Sequence, residues 1–492
     1  MDGSGSTNRF TAPFKSGGKW DIPLIAGFAL INSLGLLNAS LHDPTIGYDA
    51  ASHLEYIGAF SNLHLVKDGE SDEFFSPPLP YLLPAVLVAA TDMPVIKAAK
   101  IAQLANVVVS IGLIWYLIRI CRLLSAGNIV ARGTILFIGT LPVYYKTFAF
   151  IRGEPWVALF AVMAAYYLVR VLIRREYAWP NILLAGFTTG CAMLSRQWGV
   201  LLLPGIVVFG GIVWFRDKNY RRSIFKALSI SIAIALMLSS WFYFHLRHEY
   251  GAFTAFNRTP GSKVFFANQP RDFYFGISPE LLFSRPVRPN FPNELIPIFY
   301  SEIWGDYWCF FDVFGKNLTR PGSRRLTGPW LSLYNVWEQV PDWMGTNYNS
   351  MGKYLGRVNA IAIFPSLLAL TSLVAVATNA FSRKKEPSHA VVTDERSKVS
   401  LFFLLMIVCS VAGYLWFLIR YPSPEKGDTI KATYLLHLFP IVAVCVGLFL
   451  ERIEQNSRLI SQIIIGLLLL VALHNLPVMV THYPLYPVPW AK

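Results

Sequence analysis

Long apolar runs separated by short polar connections extend along almost the whole chain. A membrane-spanning helix needs about 20 mostly apolar residues, and runs of about that length predict about 11 transmembrane helices. The predicted spans are residues 22–41, 98–118, 129–147, 154–173, 180–196, 199–215, 223–245, 358–381, 399–419, 431–450 and 459–479. The pattern therefore predicts an all-α polytopic membrane protein.

Two connections between the predicted spans are long. The first, residues 42–97, contains an apolar stretch at 77–91 that is too short for a full span and opens with prolines. It predicts a short interfacial or half-inserted helix. The second long connection is rich in proline and aromatic residues. The predicted division is a tail at 1–21, an N-terminal transmembrane module at 22–245, a large loop at 246–357 and C-terminal transmembrane helices at 358–492.

Charge supports the membrane class and predicts an orientation. Only 15% of the 492 residues are charged, against about 25% in soluble domains. Lys and Arg gather in alternate connections, for example at Arg174 and Arg175 and in 382–398. By the positive-inside rule the N-terminus is cytoplasmic and the two long loops are extracytoplasmic, in a plasma or inner cell membrane. Basic clusters between apolar runs are typical of topology signals, so the net charge of +14 does not predict a nucleic-acid partner.

Three acid–base candidates lie where the predicted spans end at the outer face. Asp49 and His53 are one helical turn apart just after the first span, and Glu154 precedes Pro155 at the start of another. Each has a structural alternative. Asp49 could be a helix N-cap, His53 could face water or bind Asp49, and Glu154 could be a first-turn acid that favours the helix dipole.

Three cations lie at the same predicted face: Arg152, Arg196 and Lys431. Arg196 occupies a short external turn, against the usual charge distribution, which predicts an anionic partner. Lys431 could instead extend its ammonium along the helix to the membrane surface. Ionisable groups that converge at one membrane face are costly unless they are paired or functional.

Four motifs in order along the chain resemble those of a known family. They are GYDAASHLEYI at 47–57, FFSPPLPYLL at 74–83, CAMLSRQWGVLLLPG at 191–205 and IKATYLLHLFP at 430–440. Together they resemble the GT-C glycosyltransferases, specifically the protein O-mannosyltransferase and aminoarabinose-transferase-like group that uses polyprenyl-phosphate sugars. The chain departs from this pattern at Ala50, where many relatives have a second acid, and at His437, where relatives often have proline.

The resemblance implies a GT-C fold and a hexosyl or pentosyl transferase that works at the extracytoplasmic face. A polyprenyl-phosphate sugar would be the donor, and a protein, lipid or glycan the acceptor. Transfer with inversion needs one base, which we assign to Asp49, with His53 or Glu154 as its helper. Arg196 is the first choice to bind the departing phosphate, with Lys431 and Arg152 as second choices.

No cofactor is predicted, since no Cys or His spacing indicates a metal site. The possibility that Asp49 and Glu154 hold a divalent cation stays open. Two other classes remain as alternatives: a transporter or flippase of lipid-linked or anionic substrates, and a membrane scaffold. Transporters usually carry ionisable residues near the bilayer midplane and have internal repeats, and neither pattern is evident in the sequence.

Overall fold

The structure is a computed structural model of the chain. It describes residues 12–16, 19–124, 127–257, 259–263, 265–288, 292–312, 342–381, 390–422 and 429–485. Nearly all regular structure in these ranges is helical. The exceptions are the paired two-residue strands Lys15–Ser16 and Lys19–Trp20, which are antiparallel, and an isolated bridge between His42 and Pro484.

The α-helices are numbered in chain order. They are α1 (Ile22–Leu41), α2 (Ala50–Phe60), α3 (Leu79–Thr91), α4 (Val95–Leu124), α5 (Asn128–Gly139), α6 (Pro142–Ala149), α7 (Glu154–Leu168), α8 (Trp179–Ser195), α9 (Leu202–Arg216), α10 (Arg221–Tyr250), α11 (Arg271–Phe275), α12 (Pro279–Ser284), α13 (Leu295–Trp304), α14 (Asp342–Ile361), α15 (Ile363–Phe381), α16 (Ala390–Arg420), α17 (Phe439–Asn456) and α18 (Arg458–His474). The π-helical turn Val169–Ile173 extends α7. Short 3-10 helices occur at Ala12–Phe14, Gln197–Leu201, Lys218–Tyr220, Phe266–Asn268, Ala432–Leu438 and Leu476–Met479.

By length and composition, eight helical stretches of the described chain could cross a membrane. They are Ile22–Leu41, Val95–Leu124, Glu154–Ile173, Gln197–Arg216, Lys218–Tyr250, Met351–Phe381, Glu395–Arg420 and Ala432–Asn456. The polytopic all-helical class is confirmed, but the predicted count of about 11 is not. Each of the eight corresponds to a predicted span.

The three remaining predicted spans are shorter helices in the structure. The expected span 129–147 is two helices, α5 and α6, because Pro142 lacks the N–H group that a continuous helix would need there. Helices α8 and α18 each contain 17 residues, fewer than a perpendicular crossing usually requires.

The first long connection contains two short helices, and their predicted interfacial position stays a prediction. Helix α2 follows the first span, and α3 covers the proline-rich apolar stretch with its exposed side chains Leu82 and Leu83. In the second long connection, α11, α12 and α13 precede α14, whereas residues 313–341 lie outside the described part. The predicted domain boundaries stay a prediction.

Two of the spanning stretches are far more enclosed than the others. In Glu154–Ile173 and Ala432–Asn456, 72% and 78% of the residues in the apolar window are buried, against 28% to 44% elsewhere. Peripheral helices instead expose apolar side chains such as Met237 and Leu470, as expected for a surface that contacts lipid. The two central stretches begin at or directly after two predicted site residues, Glu154 and Lys431.

Candidate active site

A cleft of about 810 Å³, including space open to solvent, lies at the end of the helices where α2 begins. Its polar lining is Asp49, Ser52, Asp72, Glu73, Ser76, Arg196, Gln197, Asn257, Thr429 and Lys431. Its aromatic lining is Phe75, Trp198, Phe256, Phe417 and Tyr434. Thus the structure brings Asp49, Arg196 and Lys431 to one cavity, although they are distant in the sequence.

The carboxylate of Asp49 is bound by a lysine. Asp49 directly precedes α2 in a left-handed backbone conformation (φ 54°), and its side chain makes no capping hydrogen bond to the helix. Instead, Nζ of Lys431 donates to Oδ2 of Asp49 at 2.8 Å, and Nη1 of Arg152 lies 3.8 Å from the same oxygen. Although burial alone would raise it, these two cations hold the pKa of Asp49 well below its ordinary value.

Lys431 is enclosed rather than extended to the surface. Its backbone N–H donates to the hydroxyl of Tyr414 at 2.9 Å. Its ammonium lies 5.2 Å from the ring centre of Trp308, 5.4 Å from that of Tyr48 and 5.6 Å from that of Tyr434. Burial by itself would lower the pKa of Lys431, but the Asp49 carboxylate raises it, so the side chain is charged.

Arg152 and Arg196 are joined by one buried carboxylate. Arg152 donates from Nε and Nη2 to the two oxygens of Glu154, each at 3.0 Å. Nε of Arg196 lies 3.4 Å from Oε1 of Glu154. Because both oxygens of Glu154 are held by guanidinium groups and Glu154 does not line the cleft, its carboxylate acts as a clamp between two cations.

The other side of Arg196 binds an acid that the sequence analysis missed. Nη1 of Arg196 donates to Oε2 of Glu73 at 2.6 Å and also to the hydroxyl of Ser76, while Nη2 lies 3.3 Å from Oε1 of Glu73. The site is therefore a row of alternating charges. In order, its members are Lys431, Asp49, Arg152, Glu154, Arg196 and Glu73.

A glycine permits the close approach that connects this row. A side chain at Gly153 would place its Cβ 2.1 Å from the carbonyl oxygen of Ser195. Only glycine lets the turn that carries Arg152 and Glu154 pack directly against the turn that carries Arg196.

His53 lies beside the cleft but does not line it. Its ring is 1% exposed and stacks on Tyr81, and its Nδ1 shares a hydrogen bond with the Tyr81 hydroxyl at 2.8 Å. Burial lowers the pKa of His53 to about 4, so the imidazole is neutral at physiological pH. These contacts fit a packing role, and a direct catalytic role for His53 stays a prediction.

Within the described ranges, no group of three or more His, Cys, Asp or Glu side chains is arranged to hold a metal ion. The pair that was left open for a divalent cation, Asp49 and Glu154, is separated by Arg152, which contacts both carboxylates. Among the described residues, the cationic side chains that line the cleft are Arg196 and Lys431.

Part of the chain matches a known family. Residues 76–243 match the family described as dolichyl-phosphate-mannose-protein mannosyltransferase. The match confirms the resemblance inferred from the motifs, and its range contains Arg152, Glu154 and Arg196. Asp49 and Lys431 lie outside it.

Two solved structures are similar to the chain at 13% sequence identity. They are ArnT from Cupriavidus metallidurans bound to undecaprenyl phosphate, with a TM-score of 0.39, and the same protein in the apo state, with a TM-score of 0.38. The match covers 86% of this chain and 76% of the first structure, and 87% and 78% for the second. No curated protein matches the chain by sequence.

Proposed function

From the match to the mannosyltransferase family and the charged cleft beside the membrane helices, we propose that the chain is a membrane glycosyltransferase. It transfers a sugar from a polyprenyl-phosphate donor to an acceptor at the extracytoplasmic face, with inversion. The single observation that carries the proposal is that one cleft is lined by a carboxylate, Asp49, and by two cations, Arg196 and Lys431.

The two cations suit the leaving group. When the bond between the anomeric carbon and the phosphate oxygen breaks, the phosphate leaves with the electron pair and gains negative charge. Arg196 can offer paired N–H donors to phosphate oxygens, and Lys431 offers a point charge. Because both side chains are largely buried, their attraction for that developing charge is stronger than it would be in water. Arg152 does not line the cleft and serves to orient Asp49 and Glu154.

Asp49 is the base, but how readily it takes a proton depends on whether the donor is bound. A carboxylate paired with Lys431 binds a proton weakly, which makes it a poor base in the unliganded site. A donor phosphate that shares Lys431 weakens this pairing, so the pKa of Asp49 rises when the donor is bound. Asp49 can then take the proton of the acceptor hydroxyl as that oxygen attacks the anomeric carbon on the face opposite the phosphate.

The membrane setting explains why the sugar arrives on a lipid. Cytosolic nucleotides do not reach the predicted outer face, so an activated lipid must bring the sugar across the membrane. The short helix α3 next to the spanning helices provides apolar surface for a polyprenyl chain, through its exposed Leu82 and Leu83. The donor headgroup then meets the Asp49 carboxylate where the helices end.

The substitution Asp49→Asn tests the proposal. It removes the base and keeps the side-chain shape, so we expect transfer from a labelled polyprenyl-phosphate sugar to fall by about 10²- to 10⁴-fold while the donor still binds. Ser52→Ala, on the helix that follows Asp49, is the matched control, because Ser52 lines the cleft but is not a member of the row of charges. Full transfer by Asp49→Asn would contradict the proposal. Movement of the intact labelled lipid across vesicles, without bond cleavage, would support the transporter alternative instead.

A further inference from the structure

The ring of Tyr48 contacts three cations at once. The guanidinium carbon of Arg152 lies 5.1 Å from the ring centre, Nζ of Lys431 lies 5.4 Å away and Nζ of Lys146 lies 5.9 Å away. Such distances allow attraction between each cation and the aromatic ring. Two of the three, Arg152 and Lys431, are the cations that contact Asp49. Tyr48 is therefore next to Asp49 in the sequence and next to both of its cations in space.

The hydroxyl of Tyr48 is fixed from a distant part of the chain. It donates a hydrogen bond to Oε1 of Glu302 on α13, and Nζ of Lys146 on α6 donates to the same oxygen at 2.7 Å. Lys146 also donates to the carbonyl oxygen of Gly305 at 3.0 Å. Tyr48, Lys146 and Glu302 are each at most 1% exposed. A buried acid that binds both a hydroxyl and an ammonium group allows the ring little freedom.

The backbone around Tyr48 needs such an anchor. Gly47 before it has φ 149° and Asp49 after it has φ 54°, both in regions that side chains other than glycine rarely occupy. A Cβ at Gly47 would lie 3.3 Å from the ring of Phe150. The carbonyl oxygen of Tyr48 accepts a hydrogen bond from Arg152 at 3.3 Å. An unusual backbone conformation persists only when the surrounding structure fixes it, and the contacts of Tyr48 do so here.

We propose that Tyr48 is a positioning residue whose hydrogen bond to Glu302 keeps its ring between Lys431 and Arg152, and so holds both cations in register with Asp49. Glu302 and Lys146 complete the anchor. This inference rests on the proposed function, because it assigns Tyr48 a part in the same transfer reaction. It connects the second long loop, which carries Glu302, with the base in the first.

The substitution Tyr48→Phe tests the anchor while it retains the ring. We expect kcat for sugar transfer to fall about 10-fold, the size of effect that follows the loss of a buried hydrogen bond, and KM for the donor to change less than about 2-fold. The matched control is Tyr144→Phe. Tyr144 is also 1% exposed and its hydroxyl bonds to Ser110 at 2.7 Å, away from the cleft. It should leave kcat unchanged.

A double-mutant cycle separates positioning from general loss of structure. If Tyr48 acts through Lys431, then Tyr48→Phe should cost less than about 3-fold when it is added to Lys431→Met, against about 10-fold in the native background. A cost of about 10-fold in both backgrounds, or an unchanged kcat for Tyr48→Phe alone, would overturn the inference.

Glu302 gives the second arm of the test. Glu302→Gln keeps an oxygen that can accept from Tyr48 and should stay within about 3-fold of the native kcat, whereas Glu302→Leu should reproduce the loss seen with Tyr48→Phe. Native kcat with Glu302→Leu would overturn the inference. Failure of the proposed function would look different: Asp49→Asn would then retain transfer, whatever Tyr48→Phe does.

Discussion

Ion pairs occur at both ends of the same helices, but the two ends use them differently. Beyond the start of α1, Asp21 binds two cations, Arg122 at 3.3 Å and Arg132 at 2.9 Å. Beyond the end of α9, Asp217 likewise binds Arg175 at 3.2 Å and Lys398 at 3.1 Å. Each acid joins separate segments of the chain, and none of these six side chains lines the cleft.

The opposite end of these helices carries the row of charges from Lys431 to Glu73. There the cations and carboxylates alternate and are mostly buried, but Asp49, Glu73, Arg196 and Lys431 also line the cleft. An anion that enters can compete for the cations, because each is already close to the cavity. Burial and pairing occur at both ends of the helices, so they do not by themselves mark a functional site. The pairs at the end that carries Asp49 also lie next to a cleft large enough for a ligand.

The largest effect is expected at Arg196. Arg196→Leu leaves Glu73 and Glu154 buried beside an apolar side chain, which should lower the free energy of unfolding by about 3–5 kcal/mol and abolish transfer. Thermal unfolding in detergent and the transfer assay measure the two effects.

Arg196→Lys provides the sharper version of that experiment. A lysine keeps the charge but cannot bind Glu73 and a phosphate with paired donors. We expect a fold that survives, with kcat reduced about 100-fold. If Arg196→Lys kept the native kcat, the proposal that Arg196 binds the phosphate through two paired donors would be contradicted.

A smaller effect, on pH dependence, is expected at His53. The folded pKa of about 4 lies below the model-peptide value of 6.5, so the unfolded chain binds a proton that the folded chain does not. The stability contributed by neutral His53 is complete above about pH 6.5 and is lost as the pH falls toward 4. This amounts to about 3 kcal/mol at most.

The replacement His53→Asn measures this effect, because asparagine can still form a hydrogen bond with Tyr81 but does not titrate in this range. Unfolding temperatures of the native chain should fall more steeply between pH 7 and pH 4.5 than those of the variant. If the unfolding temperatures of the two proteins fell in parallel with pH, burial would not lower the pKa of His53 in the folded chain.

At the opposite end of the helices we expect an effect on stability alone. Asp21→Asn removes a buried carboxylate from between two partly exposed arginines, which should lower the free energy of unfolding by about 2 kcal/mol and leave kcat unchanged in the folded fraction. A specific loss of kcat would remove the distinction between the two ends.

The smallest effect belongs to Arg175. Its side chain is 38% exposed where it meets Asp217, and Lys398 stays in contact with the same acid. Arg175→Gln should therefore change the free energy of unfolding by less than about 1 kcal/mol, as measured by thermal unfolding in detergent. A larger loss would show that this pair is more than a surface contact.

The sequence was sufficient for the parts of the site that stand out against an apolar background. Asp49, Arg196 and Lys431 are charges next to predicted spans, and hydrophobic run length with charge alternation placed them at one face. Glu73 was missed because it lies in a polar stretch, SDEFF, that is typical of a solvated loop. Its proximity to the proline-rich motif was the available signal.

Long-range pairing was beyond prediction from one sequence. Lys146 lay inside a predicted span and Glu302 within an apolar helix, and a charge in either setting indicates a buried partner. Nothing in the local pattern connects two residues 156 positions apart. The division of residues 129–147 into two helices could have been anticipated, because Pro142 interrupts the run.

The central claim is that Lys431 is shared between Asp49 and the donor phosphate. The most direct measurement is the affinity of purified Asp49→Asn for undecaprenyl phosphate, compared with that of the native chain. If the carboxylate competes with the phosphate for Lys431, the variant should bind the lipid about 3- to 10-fold more tightly, a gain of about 1 kcal/mol, although it no longer transfers sugar. Weaker binding by Asp49→Asn would contradict the account.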